Sequence, residues 1–256
     1  TQPFDMPSTN EIFEASSRAI ALKHPVSALK FYMGQKEPMQ RAVIKNAAKY
    51  LWGHDKSLAA WDQALDEIRN NELIAPAKNT NNIAVGNSLG NTFGKWLYCC
   101  IRVFQPASMI ETGVAHGSSS WIILNAMQKN NKGQLISSDL PNNDTNSAYN
   151  FENTAPPTGW RVPESLRSRW SLRLGDARKL LPEALAETGK LDFFFHDSDH
   201  SYEHMKFEFE TILPYLAADG LLLSDDVHKN SAYREIVAKG NLRALQFNKG
   251  GCAIRQ

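Results

Sequence analysis

Cysteine is scarce in this chain of 256 residues: Cys99, Cys100 and Cys252 are the only three. An odd count without metal-type spacing excludes a disulfide framework and a cysteine-built zinc site, and Cys99 and Cys100 fall in an apolar stretch, so reduced core thiols are expected. Charge of one sign is missing too, because 28 Lys and Arg against 27 Asp and Glu leave a formal net charge of +1. That balance gives no bulk pull toward nucleic acid or anionic lipid, and small-molecule chemistry becomes the expectation. No apolar run reaches transmembrane length, and the opening TQPFDMPSTNEIFE lacks the basic-then-apolar order of a signal peptide. A cytoplasmic location is expected, with no membrane partner, and a homo-oligomeric state stays open. There is no internal repeat, no low-complexity tract and no GxGxxG dinucleotide fingerprint. What is present, 42% hydrophobic side chains, suffices for one sizeable core plus an appendage.

Residues 1–84 read as a helical N-terminal extension, a candidate substrate cap, without a convincing strand. Pro38 opens a segment with Val43, Ala47, Tyr50 and Leu51 at helical spacing, closed by Gly53. Asp55 is placed to cap the next helix, which carries Leu58, Trp61, Leu65 and Ile68 on one face. Trp52 and Trp61 read as packing residues. The stretch 75–82 has linker composition, and Phe93, Trp96, Leu97, Cys100, Ile101 and Phe104 mark an amphipathic helix that Pro106 ends.

From Ser108 the pattern alternates. Strands are predicted at 109–114, 134–139, 171–175, 191–197, 220–225, 242–247 and 251–255, and helices at 118–130, 177–187, 202–217 and 231–239. This is an α/β, Rossmann-like, doubly wound and mostly parallel seven-stranded sheet, occupying 85–256. The polar segment 141–165 has no period and is too long for an ordinary connection, which favours a lid or binding loop.

Two acidic clusters close short apolar runs. Asp197 follows Leu191 to Phe195 in LDFFFHDSDHSYE, and Asp225 with Asp226 follows Leu221 to Leu223 in DGLLLSDDVHKN. Both read as buried parallel strands whose carboxyl ends open into a ligand crevice, where these carboxylates offer the oxygen ligands that a hard ion such as Mg²⁺ prefers. A group of strand-end caps is the bland alternative, although adjacent aspartates repel.

MIETGVAHGSSSWIIL reads as strand, glycine turn and helix start. Gly113 and Gly117 let the backbone approach a ligand, and Ser118, Ser119 and Ser120 offer hydroxyls and amides at a helix N-terminus. Glu111, entering the turn, suits a ligand with an amino group or positive centre. Asp139 closes the next strand, where an acid can hold both hydroxyls of a ribose, and Asp176 in RLGDA stands at the following strand end, within reach of an adenine amino group. Each alone is equally a helix cap or turn residue.

Taken together, ETGVAHGSS, Asp139, RLGDA, FFFHDSDHSYE and LLLSDD resemble, in order and spacing, the class I S-adenosylmethionine-dependent methyltransferases. The chain is most similar to metal-dependent small-molecule O-methyltransferases that modify sugar hydroxyls in natural products, with cephalosporin-hydroxylase-like relatives. The resemblance covers roughly 85–256. It implies S-adenosylmethionine held by Glu111, Gly113, Gly117, Ser118, Asp139 and Asp176. A divalent ion such as Mg²⁺ is implied on Asp197, Asp225 and Asp226, with a hydroxylated small-molecule acceptor whose proton Asp199 takes. Two departures alter the pocket floor: Ser198 stands where glycine is common, and His196 where an aliphatic residue is usual. Catechol-type relatives carry Asp-Asn where this chain has Asp225-Asp226, so the site here is more anionic.

Asp197 and Asp199 would point the same way only if the strand continued through Ser198. His200 and His228 are rival bases or orienting partners. A metal-independent methyltransferase with a histidine base and a nonenzymatic nucleoside-binding protein of the same fold remain the alternatives.

Overall fold

A computed structural model describes residues 37–53, 58–78, 88–141, 156–247 and 249–256. Asp55, the expected cap, and 142–155 of the expected lid lie outside the described residues. Helix α1 spans Glu37–Trp52 and α2 spans Leu58–Arg69, followed by α3 at Thr92–Phe104. The alternating part then runs β1 (Ser108–Thr112), α4 (Ser118–Asn130), β2 (Gln134–Asp139), β3 (Trp170–Leu174), α5 (Ala177–Thr188) and β4 (Leu191–His196). It closes with α6 (Tyr202–Ile212), β5 (Leu216–Ser224), α7 (Ala232–Lys239), β6 (Leu242–Phe247) and β7 (Gly250–Arg255). No described helix is long and apolar enough to cross a membrane.

The seven strands form one sheet in the order β3-β2-β1-β4-β5-β7-β6. The first five are parallel, and β7 runs antiparallel between β5 and β6. The expected Rossmann-like, mostly parallel sheet is therefore present. Strand side chains alternate faces, as the two-residue period demands. Met109, Phe193, Phe195, Leu221 and Leu223 face a core shared with α1 to α4, whereas Ile110, Phe194 and Leu222 face the core under α5 to α7. Helices covering both faces explain why these strands are apolar throughout.

Trp61 stacks on Trp96 at 5.0 Å between ring centroids, with Trp52 tilted against both, so these tryptophans pack the helical layer. Cys99, Cys100 and Cys252 are free and buried, as expected.

The largest departure from the expected boundaries lies between α6 and β5. Helix α6 stops at Ile212 rather than at 217, and β5 begins at Leu216 rather than at 220. Pro214 is the cause: it lacks the N–H that would carry the helical ladder beyond Leu213. The early part of β5 is irregular, with Asp219 at φ 61° and a register shift between Leu191 and Phe193.

Candidate functional site

Backbone hydrogen bonds link the carboxyl ends of the five parallel strands into one rim. Gly113 N donates to Ser138 O (2.9 Å), Gly175 N to Asp139 O (2.9 Å), Asp197 N to Thr112 O (2.8 Å) and Asp225 N to His196 O (2.9 Å). A crevice bounded by successive strand ends is the usual ligand site of such sheets. Gly113 has φ 85°, and a Cβ there would lie 2.0 Å from Asp197 O, so only glycine lets the β1 turn meet the β4 end.

Glu111 is fully buried behind the turn. Its carboxyl accepts hydrogen bonds from the hydroxyls of Ser119, Ser120 and Ser137, each at 2.6 Å. Burial, reinforced by the Asp139 charge and only partly offset by those hydroxyls, pushes its pKa up to about 7. In this arrangement Glu111 fastens the start of α4 to β1 and β2.

Asp139 clamps the turn itself. One carboxylate oxygen accepts from Val114 N (2.8 Å) and Ala115 N (2.5 Å), and the other from Leu140 N (2.7 Å). Gly117, at φ 86°, caps α4, and the Ser118 hydroxyl beyond it accepts from Arg161 Nη1 at 3.3 Å. Asp176 is exposed and is the N-cap of α5, accepting from Arg178 N at 2.8 Å.

Asp197, Asp225 and Asp226 converge at the ends of β4 and β5. Burial pushes the Asp197 carboxyl well above the usual carboxylate range, and repulsion from Asp225, Glu111, Asp226 and Asp139 adds to it, although solvent reaches 37% of its side chain. Asp226 takes the left-handed conformation, φ 50°, and pairs with Lys229 Nζ at 2.7 Å; partial burial opposes its charge, but Lys229 holds it below its ordinary pKa. The exposed His228 ring stands 3.7 Å from the same carboxylate. His200 Nε2 is buried without a hydrogen bond, 3.8 Å from Asp197 Oδ1, and burial, His196 and Lys229 lower its pKa.

Asp199 is placed differently. Strand β4 ends at His196, so the alternation that would align Asp199 with Asp197 is lost. Its carboxylate accepts from Ser201 N (2.9 Å) and Ser201 Oγ (3.0 Å) in the turn leading into α6. Burial works against its charge, but those bonds keep its pKa below the ordinary value.

A buried network under the β4 end is absent from the sequence reading. Glu208 Oε2 accepts from Thr112 Oγ1 (2.6 Å) and meets His196 Nδ1 (2.6 Å), and Oε1 meets Ser198 Oγ and His204 Nε2, both at 2.8 Å. Burial disfavours the Glu208 charge, but His196 and His204 hold its pKa well below the usual range. A signal was available, since Glu208 lies on the apolar α6 face that carries Met205, Phe209 and Ile212. Lys229 and Arg161 were also missed.

Residues 110–227 match the family model of a methyltransferase domain. The matched residues include every candidate site residue from Glu111 to Asp226 and stop one short of His228. Among solved structures, this chain is similar to an O-methyltransferase from Bacillus cereus in complex with SAH, at 15% identity, covering 86% of this chain and 100% of that one, with a TM-score of 0.46. It is similar to an SAH-bound methyltransferase from Podospora anserina, at 16% identity, 79% and 88% coverage and a TM-score of 0.45. A TDP-rhamnose 3′-O-methyltransferase of calicheamicin biosynthesis is similar at 16% identity, 81% and 97% coverage and a TM-score of 0.49. No curated protein matches the sequence.

Proposed function

We propose that the domain transfers the sulfonium methyl of S-adenosylmethionine to a hydroxyl oxygen of a polyhydroxylated small molecule. The crowding of Asp197, Asp225 and Asp226 beside the His200 imidazole, at the rim shared with the cofactor turn, carries this reading. A hydroxyl is a weak nucleophile near neutral pH and must lose its proton as it attacks. The hydroxyl oxygen bonds to the methyl carbon, the carbon–sulfur bond breaks with its electrons going to sulfur, and the proton passes to His200 Nε2. Burial keeps this imidazole neutral and able to accept it. His200 suits the role better than Asp199, whose oxygens are taken by Ser201.

The three aspartates fit a hard divalent ion such as Mg²⁺ in donor type and charge. Among the described residues, however, no three His, Cys, Asp or Glu side chains already form a group that could hold a metal, and Lys229 occupies Asp226. Asp197, Asp225 and Asp226 would hold the ion once Lys229 gave way, and the ion would lower the pKa of a coordinated hydroxyl. The Lys229–Asp226 pair favours a second reading, in which the acidic cluster is already partly neutralised and His200 works without metal. Within the 1–84 extension, α1 and α2 are proposed to wall the acceptor site. Arg41, Leu65, Ile68, Lys95 and Trp121 line a cavity of about 260 Å³ among these helices, α3 and α4.

The test is methyl transfer from labelled S-adenosylmethionine to sugars, catechols and other polyols, with and without chelator. Methyl ethers are expected as products. Transfer to nitrogen or carbon alone would reject O-methylation, and full activity after chelation would leave only the metal-free reading.

A further inference from the structure

S-adenosylmethionine carries a sulfonium, an α-ammonium and an α-carboxylate. The acids around the crevice, Asp197 and Asp139 foremost, suit its positive groups and its ribose. None suits the carboxylate, which needs a cation.

We infer that Arg161, contributed by the connection between β2 and β3, binds the α-carboxylate of S-adenosylmethionine. Its backbone is fastened to the cofactor turn: Arg161 N donates to His116 O at 3.0 Å, and Gly159 N donates to Ala115 O at 2.8 Å. The two segments touch so closely that a Cβ on Gly117 would lie 2.9 Å from Gly159 Cα. Thr158 and Val162, on either side of this strap, are buried and hold it down. From there the guanidinium reaches the Ser118 hydroxyl, the first residue of the 13-residue helix α4, at 3.3 Å. The first amides of a helix have no partner within it, so a carboxylate beside Ser118 would meet a planar two-pronged donor and a favourable dipole together.

This assignment rests on S-adenosylmethionine as the donor. Calorimetry on the full chain, comparing S-adenosylmethionine with decarboxylated S-adenosylmethionine, tests it through R161M and R161K. R161M should weaken S-adenosylmethionine by about tenfold to a hundredfold, the worth of a charge-assisted hydrogen bond. The decarboxylated ligand should bind as well as before or tighter, because a like charge has been removed, and R161K should fall between. Equal losses for both ligands would reduce Arg161 to a structural strap, and no change for either would also overturn the assignment. If the unaltered protein bound neither ligand, the cofactor assignment itself would fall. R161Q, which keeps most of the volume, gives the same readout should R161M fold poorly.

Discussion

Glu208 Oε2 lies 2.6 Å from His196 Nδ1, and both side chains are fully closed to solvent. The pair sits directly beneath the β4 end that presents Asp197. Removing Glu208 leaves its buried hydrogen-bond partners unsatisfied, which costs about 1 to 3 kcal/mol. Glu208→Ala should lower unfolding free energy by that amount in urea titrations. A loss under about 1 kcal/mol would mean that the network contributes little.

Glu111 sets a pH dependence of stability. Its carboxyl moves from 4.5 to about 7 on folding, so between those values the folded protein keeps a proton that the unfolded chain has released. Stability therefore falls as pH rises through that window, by about 3 kcal/mol in all, and the loss is complete above the folded value. Glu111→Gln lacks this dependence. Its stability relative to the unaltered protein should rise between pH 5 and pH 8 in parallel denaturant titrations; a constant offset would contradict the assignment.

Gly113 and Gly53 make a matched pair of substitutions. Both have positive φ, 85° and 73°, but a Cβ on Gly113 meets Asp197 O at 2.0 Å while one on Gly53 meets nothing within 4 Å. Gly53→Ala should cost only the backbone strain, about 1 to 2 kcal/mol. Gly113→Ala adds displacement of the β4 end, so its melting temperature should fall further and S-adenosylmethionine affinity should drop with it. Equal melting temperatures and intact affinity would show that the close approach is dispensable.

The two candidate bases separate by rate. His200→Gln should lower kcat by about a hundredfold or more, as expected for loss of a general base. Asp199→Asn, which loses only a turn contact, should retain activity within about fivefold, since exposed polar substitutions rarely disturb a site. The reverse order in steady-state assays would return the role to Asp199.

Asp225→Asn tests the metal apart from the cofactor. Divalent-ion affinity measured by calorimetry should fall at least about tenfold, since metal sites depend strongly on ligand charge. S-adenosylmethionine affinity should change by less than about threefold, because the ion is proposed to meet the acceptor. Loss of both together would place Asp225 in the cofactor pocket.

Much of this molecule was legible along the chain because its signals are local. Apolar runs from Leu191 to Phe195 and from Leu221 to Leu223 announce buried parallel strands, and their first polar residues land at strand ends whatever the packing. The N-cap at Asp176 and the positive φ of Gly113 and Gly117 are likewise consequences of neighbouring residues. Side-chain direction and partnership are not local. Glu111 turns inward to three serines, and Asp199 turns to Ser201 because β4 stops at His196. Arg161 reaches Ser118 across 43 positions and Glu208 reaches Thr112 across 96. Contacts at such separations exist only after the crossovers have stacked strands and helices. The sequence by itself thus determined which acids stand at the rim, whereas the tertiary structure decided which of them turn inward, which are neutralised and which cation reaches the glycine turn.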